Sequence, residues 1–205
     1  MIVDTHAHYA PQSMLEALAA GTETFPNVEL LHEGDTWKLG FAGGPLTRPG
    51  NPKLRHPEPR SAWMAEHGID VQVNGGWLDS FGYELPVEEG VAWTRFLNQH
   101  LIEGARAAGN LSPLGSVPLQ DGEKAARVLE ELMGEGLAGV MIGTQPYGKY
   151  GCLDAPELDP FWAAASDLGS VVFIHPMYGC GDDRLLDYDM INAVGRGLDT
   201  TTAVA

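Results

Sequence analysis

Two cysteines in 205 residues are too few for a disulfide framework, so Cys152 and Cys180, both beside glycine, read as reduced thiols in loops. Either thiol could approach a metal. Basic residues are scarce as well. Twelve Lys and Arg against 28 Asp and Glu leave a net charge of −16, and the few cations are spread along the chain. A groove for nucleic-acid phosphates needs such residues clustered, so nucleic acid is not the expected partner. A small anionic substrate is compatible with this charge if a metal and one or two arginines meet it locally. No apolar run approaches the roughly 20 residues of a membrane helix. Nor does a basic segment followed by a long apolar one open the chain, because Asp4 and two histidines interrupt the first apolar residues. A cytoplasmic protein without a membrane partner is expected. Low-complexity tracts are lacking, and the hydrophobic content of 44% is that of a globular protein.

What is present starts almost at once. Ile2-Val3-Asp4-Thr5-His6-Ala7-His8 is a short apolar run ending in two histidines spaced i, i+2. In a β-strand that spacing puts Asp4, His6 and His8 on one face, where two neutral imidazoles can converge on one divalent cation. A second apolar run, Val171-Val172-Phe173-Ile174, ends in His175. Strand-end histidines bonded to their neighbours are the alternative, but histidines ending two apolar strands favour a metal site at the C-terminal rim of a parallel barrel.

Between these strands the chain alternates. Segments 11–20, 60–67, 87–108, 121–134 and 158–168 read as helices, and 70–74, 111–117, 138–142 and 171–175 as strands. Asp121 serves as a cap, and glycine follows several helices. Val28-Glu29-Leu30-Leu31-His32 and Thr36-Trp37-Lys38-Leu39-Gly40-Phe41, around Gly34-Asp35, read as a β-hairpin, and 43–59 is too rich in Gly and Pro for regular structure. Residues 22–59 are thus expected to form an insertion over the barrel mouth. Strands alternating with helices imply parallel βα units, hence an α/β chain and a (β/α)8 barrel of the metal-dependent hydrolase type. Residues 1–205 hold only about its first five βα units. Leu198 to Ala205 reads as a capped helix start with no C-cap and no polar tail, and a full barrel typically takes about 250 residues. The expectation is the first part of a longer protein.

Several stretches together resemble the amidohydrolase superfamily, most closely its branch with aminocarboxymuconate-semialdehyde decarboxylase and the γ-resorcylate-type hydroxybenzoate decarboxylases. They are Val3-Asp4-Thr5-His6-Ala7-His8, Gly115-Ser116-Val117-Pro118-Leu119-Gln120, Gly139-Val140-Met141-Ile142-Gly143-Thr144, Leu158-Asp159-Pro160-Phe161-Trp162 and Val172-Phe173-Ile174-His175-Pro176. The resemblance implies a mononuclear Zn2+ site (Mn2+ or another divalent ion in some members), with His6, His8 and His175 as three of its ligands. It also implies a histidine after strand six and a metal-binding aspartate after strand eight. Both lie beyond residue 205, so no catalytic residue is assigned here. The late aspartates, Asp182, Asp183, Asp187, Asp189 and Asp199, precede any sixth strand.

Arg48, Arg55 and Arg60, in or just after the insertion, are candidates to fork onto a substrate carboxylate, of which Arg48 and Arg60 are retained. Trp77, Phe81 and Tyr83 follow the second barrel strand as rim aromatics do, and Trp77 and Tyr83 join the candidate substrate-binding set. Packing at the mouth accounts for the aromatics equally well. Lys149 and Tyr150 are further rim candidates, whereas His32, His56, His67 and His100 read as surface or helix-face histidines. The expected activity is a metal-dependent carbon–carbon lyase removing CO2 from an aromatic or muconate-semialdehyde-type carboxylic acid. The alternatives are a hydrolase of a lactone, ester or amide, and a non-catalytic fragment. A small-molecule carboxylic acid is the expected partner, with a homodimer as in relatives.

Overall fold

The structure is a computed structural model that describes residues 1–147, 151–177 and 183–205. Lys149, Tyr150, Cys180 and Asp182 lie outside the described residues. Strand β1 (Val3–Tyr9) leads into helix α1 (Gln12–Ala20), which ends at Gly21 in the left-handed conformation. The hairpin follows as β2 (Val28–Glu33) and β3 (Thr36–Phe41), then helix α2 (Pro57–Glu66). Next come β4 (Val71–Gly76), the long helix α3 (Val87–Ala108), β5 (Leu111–Pro113) and α4 (Gly122–Gly134). The last elements are β6 (Gly139–Gly143), α5 (Asp159–Asp167), β7 (Val171–His175), a π-turn at Ile191–Gly195 and α6 (Arg196–Val204).

Strands β1, β4 and β5 pair in that order, all parallel. Strands β6 and β7 pair in parallel, and a bridge between Gly115 and Val140 joins the two groups. The result is the first five strands of a (β/α)8 barrel, with helices following the strands as expected. Sequence logic explains the helices. In α4 the Asp121 carboxylate accepts from Lys124 N–H at 2.9 Å, satisfying a donor that the first turn leaves open. In α3, Trp93, Phe96, Leu97 and Leu101 repeat at three to four residues and are all buried. Gly104 completes that face: a Cβ there would lie 2.2 Å from the Tyr9 hydroxyl, so only glycine lets α3 meet β1.

Some expectations need correction. Helix α2 starts at Pro57, not residue 60, because proline suits the first helical position and His56 before it is extended. The irregular part of the insertion therefore ends sooner. Strand β5 stops at Pro113, short of residue 117, since proline offers no ladder N–H. In β1 the register shifts between Asp4 and Ala7: Asp4 pairs with Gln72, and His8 with Gly75. The extra residue takes Asp4 out of the alternation that it was expected to share with the histidines.

The insertion is tied to the C-terminal rim of β1 and β4. Asn27 donates from its backbone and side chain to Glu89 in the first turn of α3, at 2.7 Å each. Phe25 and Phe41 pack on Trp93, and Ala10 N–H donates to Leu54 C=O at 2.9 Å. Trp37 is buried in the core beneath this hairpin, in keeping with a packing role.

Candidate metal centre

Three imidazoles meet inside the curved sheet. His6 and His8 come from β1 and His175 from the last position of β7. Their ring centroids lie 5.1 Å (His6–His8), 5.1 Å (His6–His175) and 4.9 Å (His8–His175) apart. One nitrogen from each falls within 4.8 Å of the others. Tetrahedral ligands about 2.0–2.1 Å from zinc stand roughly 3.3–3.5 Å apart, so the rings would have to close by only about an ångström.

Two rings are already oriented for that task. His8 Nδ1 lies 3.1 Å from Gly76 C=O, and His175 Nδ1 lies 2.9 Å from Pro176 C=O. A carbonyl can only accept, so each Nδ1 carries the proton and each Nε2 presents its lone pair. Metal-binding histidines are held in this way by their second ring nitrogen. Charge points in the same direction. Burial pushes His175 down to about 4, and the charges of His8, His6 and Arg196 add to the effect. Burial lowers His8 as well, with His6, Arg196 and Arg60 contributing. Both rings are neutral at neutral pH, the form that binds a metal. The donor set therefore fits a divalent cation.

Beneath the rings the packing is tight. A Cβ at Gly75, the register partner of His8, would lie 2.2 Å from the Met141 sulfur, so that side chain fills the floor of the site.

The expected substrate-side residues are arranged less uniformly. Arg60 and His8 line one cavity of about 800 Å³, with Gln72, Lys53 and Trp63. Arg60 also donates to Gln72 Oε1 at 3.3 Å and to Lys53 C=O at 3.2 Å. Arg48 forks onto Asp79 at 3.0 and 3.2 Å, pinning the insertion to the loop after β4. Trp77 is buried against Gly50. Tyr83 is fully buried, its hydroxyl accepting from Gly143 N–H at 3.2 Å at the end of β6, and burial pushes its pKa well above the ordinary phenol value. Arg55 is buried and donates to Gln12. His32, His67 and His100 bond elsewhere, to Gly34, Trp63 and Ser13 respectively. Cys152 is exposed and outside the histidine group.

Sequence reasoning passed over Arg196, Thr144 and Asp199. Arg196 opens α6 and its charge reaches both His8 and His175. The Thr144 hydroxyl donates to Asp199 Oδ2, and Gln145 Nε2 donates to Asp199 Oδ1 at 3.1 Å. A polar residue after a strand and an aspartate in a late helix carry no local signal of meeting.

Comparison with known proteins agrees with this geometry. Residues 3–203 match the family described as amidohydrolase. The 2-amino-3-carboxymuconate-6-semialdehyde decarboxylase of Dictyostelium discoideum is 31% identical over 150 residues, covering 72% of this chain and 41% of that protein. The crystal structure of IDCase from Metarhizium anisopliae superposes with a TM-score of 0.76 at 22% identity, over 100% of this chain and 59% of the other. A manganese-bound 5-carboxyvanillate decarboxylase from Novosphingobium aromaticivorans gives a TM-score of 0.69 at 19% identity, over 100% and 60%. The chain thus spans 41% of the curated relative and about three-fifths of the solved chains. No described helix is long and apolar enough to cross a membrane.

Proposed function

The chain belongs to the amidohydrolase family, and from that premise we propose that it carries the three-histidine part of a metal-dependent decarboxylase. Its substrate would be an aromatic or muconate-semialdehyde-type carboxylic acid. The observation that supports this reading most is the convergence of His6, His8 and His175, two of them with Nδ1 already committed to a carbonyl. Zinc is the proposed ion, with manganese as the alternative. Held there, it would supply Lewis-acid polarisation of a substrate oxygen.

The remaining roles fall to side chains. Arg60 is the cation proposed to face the substrate carboxylate, because it shares a cavity with His8. A guanidinium suits a planar carboxylate better than the ammonium of Lys53. Arg48, Trp77 and Tyr83 are the further residues proposed to shape the mouth, where the Arg48–Asp79 pair already holds the insertion. The apolar share of such a wall would exclude water around a departing CO2.

Hydrolysis of a lactone, ester or amide is the second reading, favoured by the family's own description. One assay separates them. The Zn2+- or Mn2+-loaded chain is given 5-carboxyvanillate and 2-amino-3-carboxymuconate 6-semialdehyde, and CO2 release is followed. Carbon dioxide formed without incorporation of solvent oxygen into the organic product supports the decarboxylase. Ester, lactone or amide cleavage with solvent oxygen incorporated, and no CO2, replaces it with the hydrolase. No turnover of either kind, with the metal bound, leaves a metal-binding fragment.

A further inference from the structure

We propose that Thr144, itself held by Asp199, is a positioning residue that sets the orientation of the metal ligand His175. The proposal rests on the reading of the three histidines as a metal site. It starts from a gap in the backbone. Pro176 has no N–H, so after His175 the next donor available to anchor the chain is Met177 N–H. That donor goes to Thr144 Oγ1, at 3.4 Å. On the near side of the gap, Thr144 N–H donates to His175 C=O at 3.1 Å. One residue therefore grips the His175-Pro176-Met177 segment at both ends.

The grip reaches the ring through the peptide plane. Pro176 C=O and Met177 N–H belong to one planar amide, so fixing the N–H fixes the direction of the carbonyl. That carbonyl is the acceptor for His175 Nδ1 at 2.9 Å. A rotation of the amide would release the ring and free its tautomer. Asp199 supplies the other restraint. It accepts the Thr144 hydroxyl proton, which leaves the Oγ1 lone pairs facing Met177 N–H, and Gln145 holds its second oxygen. Thr144 is buried, so water does not compete readily for these bonds. Helix α6, which carries Asp199, thereby takes part in the site although it contributes no ligand to the histidine group.

The test is Co2+ binding to the chain, followed by chelator competition and by the visible absorption that reports coordination geometry. Thr144→Val keeps the β-branched shape and removes the hydroxyl. It is expected to weaken Co2+ binding by about 10–100-fold, the range for groups that orient metal-binding histidines, and to alter the absorption. Thr144→Ser restores the hydroxyl and should return both toward wild type. Unchanged affinity and spectrum in Thr144→Val, even with a lowered Tm, would reduce Thr144 to a structural role and overturn the proposal. If Thr144→Val does not fold, Asp199→Asn carries the test: wild-type affinity and spectrum there overturn it, and a partial loss supports it. A wild-type chain that takes up no Co2+ removes the metal reading itself, an outcome distinct from a variant that matches a metal-binding wild type.

Discussion

His175 leaves β7 with 6% of its surface exposed, whereas His6 on β1 is open to solvent, and the surroundings of the two strands differ in kind. On β7 it is the terminal histidine that is enclosed. It is clasped by Pro176 and backed by Thr144, Asp199 and the Tyr83–Gly143 contact. The β1 side has a register shift just before its histidines, and only His8 has a backbone carbonyl as a ring partner among the described hydrogen bonds. One wall is thus preorganised and the other adjustable. Preorganisation spares a ligand the entropy of being ordered on binding, so the two walls should contribute unequally to metal affinity.

The sharpest break in this comparison comes from removing one ligand at a time. Structural zinc sites with four ligands are worth about 10–16 kcal/mol, hence roughly 3 kcal/mol or about 100-fold per ligand. His175→Ala is expected to lose at least that much Zn2+ affinity. For His6→Ala about tenfold is expected, because a solvated ring gives back part of its contribution in ordering. Equal losses in a chelator competition would erase the distinction between the walls.

Acid should expose the same asymmetry in the metal-free chain. His175 is held at about 4 when folded, against about 6.5 unfolded, and His8 is also lowered. Between those values the unfolded chain binds more protons, so stability is fully present above pH 6.5 and falls as pH drops toward 4. The loss attributable to His175 is on the order of 2–3 kcal/mol, given its burial. Urea unfolding at pH 7 and pH 4.5 should show it, and His175→Gln should flatten the slope. An unaltered slope in that variant would mean that the buried ring does not control the acid response.

The barrel units could be read from period alone, because buried strands and amphipathic helices impress themselves on neighbouring residues. His6 and His8 could be read for the same reason: their spacing is local. The bulge before them could not, since a register shift exists only relative to β4. Arg48 shows the same limit. A guanidinium in a loop looks available for a carboxylate until folding brings Asp79 beneath it. Thr144 and Asp199 are 55 residues apart and became a pair only through the packing of α6 over the end of β6. What the sequence hides is the support around the three histidines rather than the histidines themselves.

Tyr83→Phe tests that support at moderate cost. Removing the hydroxyl leaves the buried Gly143 N–H without its acceptor, for about 1–2 kcal/mol of stability. Because Gly143 is the register partner of His175, the loss should be accompanied by weaker Zn2+ binding. A stability change with intact Zn2+ affinity would place Tyr83 in the core alone.

The smallest expected effect concerns charge rather than contact. Arg196 lowers both His8 and His175, after burial and the neighbouring imidazoles. Arg196→Gln removes that repulsion, so both rings should take up protons at a slightly higher pH. A single charge screened by solvent is worth a few tenths of a pH unit. The imidazole titrations of the metal-free chain should move upward by that amount, and added salt should shrink the difference between variant and wild type. Because one cation acts on both walls, it shifts His8 and His175 in the same direction and leaves their asymmetry intact. Imidazole NMR titrations that showed only one of the two responding would instead assign Arg196 to a single wall.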